Sequence, residues 1–301
     1  MASVADWSPT AASNTEVGGI STDGTITLVN QVDNIVRGMM AEVATSRDDG
    51  TIINVYPRGY LHGLTLSNNS GDATNDIDVA AGECVTSDGP YWRMALASAL
   101  TKRLDAAWAV GTGNGGLDTG SIANTTYHIW LIQRSDTLVV DALFSASATA
   151  PTMPANYDRK RRIGSVIRES AAIVAFYQVG DSFRRVNSVN ASTSVVTFAS
   201  TLTDCLVPAG IVVQPILAFV LNLAASSSGN MSIGSALDGS TIVNAVAAVT
   251  AAGTSQNSRN VIGNGFFTNT SKQLYLSQTI TGTATTANVV SLGWIDTRGR
   301  A

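Results

Sequence analysis

The chain has 301 residues, a formal net charge of −4 and only 13% charged side chains, about half the usual share. That length allows two ordinary domains. The acidic balance, with an isoelectric point near 5.1, lacks the concentrated positive charge that a nucleic-acid backbone demands. Two histidines and two cysteines, with Cys84 and Cys205 far apart, give almost no material for a metal centre or a histidine-based triad.

In chain order, the start has no basic region followed by an apolar run, so no signal peptide is expected. A polar opening leads to Asn30–Glu42, which reads as one short helix capped by Asn30 or Asp33. Val32, Ile35, Val36, Met39, Met40 and Val43 form its apolar stripe at spacings of three and four. A helix of about three turns is marginal alone and needs a partner for that stripe.

After residue 50 strand signals dominate. Runs 51–56 and 61–66 are closed by Pro57-Arg58-Gly59 and Asn68-Asn69-Ser70-Gly71. Segments 127–132 and 138–144 flank a five-residue hairpin loop. Segment 162–168 is expected to pair with 172–178. Segment 91–110 fits either a helix, through Met94, Ala97, Leu100, Leu104 and Trp108, or two strands, with strand favoured from Leu104. Residues 188–205, rich in Ser, Thr and Asn, read as a linker. Further strands are expected at 211–213, 216–223, 242–249, 265–268, 273–278 and 289–295. The longest apolar run, 211–225, is broken by Gln214, Pro215 and Asn222 and is too short to span a membrane. The expected fold is therefore mainly β: a short N-terminal helix in 1–50, a β-sandwich or jelly-roll domain in 51–187, and a second β domain in 206–301.

That last domain carries only Asp238, Arg259, Lys272, Asp296, Arg298 and Arg300 as charges. A β domain so poor in charge argues for an oligomer that covers its surfaces.

Asp6-Trp7-Ser8, followed by Val32, Asp33, Asn34, Arg37, Met39, Met40 and Ala41, resembles the N-terminal virion-attachment segment of tailed-bacteriophage fibre and spike proteins. Gly38 departs from that pattern and weakens the helix. Lys102–Trp108, Gly111–Gly120, Tyr127–Trp130, Pro151–Pro154, Arg161–Ser165 and the terminal Gly293–Arg300 are similar to segments of phage tail proteins. The resemblance implies a structural, non-enzymatic protein of the virion, assembled in the host bacterial cytoplasm. It implies a homotrimer, attached to other virion proteins of head or tail through Trp7, Val32, Ile35, Val36, Arg37, Met39 and Met40. By analogy, Phe266, Phe267 and Tyr275 become candidate contacts to a host-surface polysaccharide or protein. An adaptor or capsid-decoration protein is the alternative, and a polysaccharide-degrading spike is the weakest reading. No cofactor is implied.

Other motifs are weighed against simpler roles. Gly111–Gly116 is followed by a turn rather than a helix, so it reads as a surface turn and not a phosphate cradle. Asp72, Thr74, Asp76, Asp78 and Glu83 have calcium-loop spacing, but Ile77 stands where the sharp turn needs glycine. Arg159–Arg162 reads as a strand-edge guard against aggregation in preference to an anion contact. Trp108 and Trp130 read as core anchors.

Overall fold

The computed structural model describes residues 16–17, 20–21, 36, 39, 41, 43, 57–89, 91–237, 243–251, 256–262 and 265–300. The described chain is nearly all β. β1 (Glu16–Val17) and β2 (Ile20–Ser21) form a small antiparallel pair. The next strands are β3 (Leu61–Gly63), β4 (Leu66–Asn68), β5 (Asp76–Val79), β6 (Gly82–Val85), β7 (Arg93–Leu96) and β8 (Leu100–Ala107). They continue as β9 (Asn114–Leu117), β10 (Thr126–Gln133), β11 (Val140–Ser145), β12 (Arg159–Glu169) and β13 (Ala172–Ile173). These build an eight-stranded sheet, β13-β12-β10-β11-β9-β8-β5-β4, and a three-stranded sheet, β3-β6-β7.

The second half holds β14 (Phe176–Val179), β15 (Ser182–Ser192), β16 (Phe198–Asp204), β17 (Gln214–Leu223) and β18 (Ser228–Gly234). β19 (Val243–Val249), β20 (Gln256–Ile262), β21 (Gln273–Thr281) and β22 (Ala284–Ile295) complete it. A five-stranded sheet, β14-β15-β22-β17-β20, packs against a four-stranded one, β16-β21-β18-β19. Met231, Ile233, Leu274 and Leu276 from one layer meet Leu217, Phe219, Leu221 and Val289 in the core. Opposite residues of each strand face out, as the two-residue side-chain period requires.

β10 is buried along its whole length. Ile129 and Leu131 belong to the main core, whereas Trp130 and Ile132 join Leu143 and Tyr157 in a smaller cluster on the other face. A strand covered on both sides reads as a continuous apolar run, and Tyr127–Ile132 is one. Tyr127 and His128 are consequently both buried, although strand alternation alone suggested one of them would face solvent. Trp130 and Trp108 donate their indole N–H groups to Ser147 O and Ala142 O, which fits their expected role as anchors.

Several expectations change. Segment 91–110 is two strands; Met94, Leu96, Leu100 and Leu104 are buried at even positions, a strand period as well as a partial helical one. Segment 172–178 splits, because β13 pairs with β12 while β14 crosses to β15. Residues 188–205 lie largely in β15 and β16; their polarity reflects outward exposure rather than absence of structure. Residues 211–213 and 265–268 are not strands, and β18 and β20 were not expected. In the expected N-terminal helix the described residues Val36, Met39, Ala41 and Val43 are helical and exposed; its remainder lies outside the described residues.

The last strand organises the second half. β22 lies between β15 and β17, so residues far apart in sequence meet through it. Trp294 stacks on Phe183 at 5.5 Å, nearly parallel. Gly293 has φ +146, and a side chain there would run into Phe183 O. The crossing of β22 over β15 needs glycine at that point.

Candidate functional site

Among the described residues, most charged groups are committed to bonds within the chain. Asp296, 1% exposed, accepts both Nη groups of Arg162 at 2.5 and 2.8 Å and the Arg298 N–H at 2.8 Å. Burial alone would raise the Asp296 pKa, but the Arg162 hydrogen bonds and charge with the Arg298 N–H outweigh it and hold the carboxyl below its usual range. Arg162 also donates to Ser165 Oγ, which lies 2.8 Å from His128 Nδ1. Burial, reinforced by the Arg162 charge, pushes His128 down to about 4. Ser165 and His128 are closed off from solvent, so this constellation is scaffolding.

The Arg159–Arg162 stretch pairs with β10 on one side; β13 reaches only Arg168 and Glu169, and on the open side Lys160 O accepts the Ser87 N–H. Arg161 and Arg162 are buried; Arg159 sits over the Trp92 ring at 4.5 Å, and Lys160 pairs with Asp88 at 3.3 Å. Arg161 Nε and Nη2 are buried without a hydrogen-bond partner.

The glycine loop is pinned from beneath. Lys102, 2% exposed, donates to Ala109 O and Gly111 O and lies 3.2 Å from Asp141, whose other oxygen accepts the Gly111 N–H. Burial lowers the Lys102 pKa and Asp141 opposes that shift. Gly111 and Gly113 have positive φ, as a surface turn requires.

The calcium-like carboxylates diverge. Asp72 accepts the Thr74 and Asn75 N–H groups, Asp78 accepts Asn69 and Thr101, and Glu83 binds Tyr60 and Arg93. Among the described residues no group of three or more His, Cys, Asp or Glu is placed to hold a metal. Cys84 and Cys205 are free, buried thiols that burial pushes up to about 12.

Among the described residues, one sheet face stands out as uncharged. Strand registers align Leu202, Tyr275 and Gly234 in one row across the outside of the four-stranded sheet. The next rows are Ser277, Ser232 and Asn244; Thr279, Asn230 and Ala247; and Thr281, Ser228 and Val249. These four rows carry no charge. Asp204, in the end row beside Gln273, is paired with Lys272 at 2.8 Å. Asn244 Oδ1 accepts from Asn230 and Ser232, which fixes the amides flat against the sheet. Val249 is 76% exposed at the far end.

The neighbouring edge strand, β16, makes local hydroxyl bonds. Thr201 Oγ1 donates to Ala199 O at 2.9 Å and Thr203 Oγ1 to Thr201 O at 3.3 Å, so hydroxyl groups occupy backbone acceptors along β16.

Of the residues singled out in sequence, Tyr275 lies on this face. Phe266 and Phe267 are half-buried in the loop before β21; Phe266 packs against the core, and Phe267 O accepts the Ala236 N–H. Val36 and Met39 are 48% and 39% exposed. Trp7, Val32, Ile35, Arg37 and Met40 lie outside the described residues. The uncharged Ser/Thr/Asn rows were not singled out in sequence, although the domain's low charge was the visible sign of them.

No protein-family model matches the chain, and no curated protein matches it. Among solved structures it is similar to the infectious bursal disease virus VP2 subviral particle: 14% identity, covering 79% of this chain and 70% of that one, with a TM-score of 0.20. The Gx strain of the same virus gives 12% identity over 80% and 73%, also at 0.20. Superpositions this poor carry no argument about ancestry or role. Among the described residues no helix is long and apolar enough to cross a membrane.

Proposed function

We propose that the chain is a structural protein of a tailed-bacteriophage virion: a fibre or spike subunit that forms a homotrimer, is fastened to the particle through residues 1–50, and presents its β layers to the host surface. The observation that carries this reading is the uncharged, flat outer face of the four-stranded sheet. Copies of a chain with net charge −4 repel one another, and a face without charge is where they can meet with least cost. The resemblance of Asp6–Ser8 and Val32–Ala41 to virion-attachment segments supports the direction of assembly, and the exposed Val36, Met39 and Val43 supply apolar surface at that end.

Size decides how the contact is shared. Four strands about 4.8 Å apart and about seven residues long give a face of roughly 450 Å². A stable interface buries about 800 Å² per partner. The face therefore supplies about half of that area.

Light scattering on the eluting full-length protein tests this. We expect a mass near three times 31.2 kDa, and partial dissociation when residues 1–50 are deleted. A monomeric full-length protein would refute the trimer and shift the assignment to an adaptor or capsid-decoration protein.

A further inference from the structure

A cavity lies where the ends of β10 and β12 meet the loop after β16. Its volume is about 390 Å³, at the low end of the ~300–1,000 Å³ range for small-molecule sites and suited to a single small ligand. Three of the nine described non-glycine residues with positive φ line it, Ser170 (48°), Leu206 (55°) and Lys272 (60°), and Ala171 (65°) follows Ser170 in the same turn. Ser170-Ala171 is the two-residue turn of the β12–β13 hairpin, where Asn-Gly is the unstrained choice. Strain of this kind gathers where a surface has to keep a particular shape.

The charges at the cavity are unevenly satisfied. Glu169 is held by Arg185 at 2.9 Å and Lys272 by Asp204 at 2.8 Å. Arg168 has only neutral partners: Nη1 donates to Asn124 Oδ1 at 3.0 Å and Nη2 to Ala171 O at 2.9 Å. Its Nε is buried and unpartnered. Asn124 also accepts the Ala171 N–H, so one amide fixes both the guanidinium and the strained turn. Thr125 and Ser170 place neutral polar groups on the same wall.

We propose that this cavity binds a carboxylate-bearing sugar unit, a uronate, with Arg168 taking the carboxylate and the neutral polar wall taking the ring hydroxyls. A guanidinium with no carboxylate of its own matches that group in charge, and Nη1 and Nη2 each keep one N–H beyond those given to Asn124 and Ala171. The hydroxyl and amide wall separates a hydroxylated acid from a bare oxyanion. The inference is independent of the oligomeric state proposed above.

Saturation-transfer NMR on the full-length protein tests it, with glucuronate, glucose and inorganic phosphate as probes. We expect transfer to glucuronate, none to glucose at the same concentration, and at least a tenfold loss of the glucuronate signal in Arg168→Gln. If Arg168→Gln loses the native circular dichroism spectrum, Arg168→Lys replaces it; that variant keeps the charge without the fork and is expected to bind several-fold more weakly. Four outcomes overturn the proposal: no transfer to glucuronate at tens of millimolar, equal transfer to glucose, an unchanged signal in the folded Arg168 variant, or full displacement by equimolar phosphate. The last would leave only a generic oxyanion site.

Discussion

Replacing Asp296 by alanine removes the acceptor of three buried hydrogen bonds and leaves Arg162 with only Ser165 Oγ. Arg161 next to it is also buried and lacks a carboxylate partner, so no spare negative charge is at hand to take over. Breaking a buried pair by deleting one member costs about 3–5 kcal/mol, against a total stability of about 5–15 kcal/mol. Arg162→Met is expected to cost a similar amount, because the Asp296 carboxylate is then stranded. The double variant Asp296→Leu/Arg162→Met is different: replacing both ions with apolar groups is close to neutral. The two single losses should therefore exceed the double loss by about 3 kcal/mol or more. Trp294, two residues from Asp296 and stacked on Phe183, makes tryptophan fluorescence in urea the natural probe. A loss below about 1 kcal/mol for Asp296→Ala, or strict additivity of the two substitutions, would refute the reasoning.

Acid should act in two stages. His128 is neutral in the fold, with its pKa down to about 4, while the unfolded chain takes up its proton near pH 6.5; stability therefore falls by about 3 kcal/mol from pH 6.5 to 4, and His128→Gln should flatten that limb of the melting-temperature profile. Asp296 has a depressed pKa, so its contribution is complete above the unfolded value of about 3.9 and is lost only as pH falls through the lower folded value; in Asp296→Asn this second stage should vanish. Both thiols, fully buried and pushed up to about 12, should resist alkylation at pH 8 until urea unfolds the chain, and labelling of the native protein would contradict their burial. Gly113→Ala meets open space at φ +74 and should cost about 1 kcal/mol. In Gly115→Ala the new Cβ would lie 2.0 Å from Ala107 O, so it should cost about 3 kcal/mol; the reverse order of melting temperatures would count against the β8–β9 packing.

The sequence carried the fold where hydrophobic pattern and burial coincide. Tyr127–Ile132 announces a strand, though not its burial on both sides, and 216–223 and 289–295 announce β17 and β22. The pattern failed where a strand is outward-facing and built from small polar residues. β18, Ser228–Gly234, shows only Met231 and Ile233 as inward apolar positions, and Ser, Asn and Gly favour turns over strands locally. The same poverty made 188–205 look like a linker. Basic clustering misled in the opposite direction: nothing near Arg162 in sequence reveals that its partner lies 134 residues away. Tyr275 could be placed on an outer face from alternation. The Arg168 cavity could not, because it is assembled from residues near 124, 168, 206 and 272, which only the tertiary fold brings together.

The central position of β22 sets a timetable for folding. β15 ends at Ser192 and β17 at Leu223, well before the strand that joins them begins at Ala284, and among the described strands they have no common neighbour until residues 284–295 arrive. At a synthesis rate of about 5–20 residues per second, their inner edges stay open for many seconds. Chains that stop before residue 284 never close that sheet, and chains that stop before 296 lack the carboxylate that locks Arg162. Arrival of residues 284–296 thus gates closure of this sheet: a copy without them leaves the inner edges of β15 and β17 unpaired.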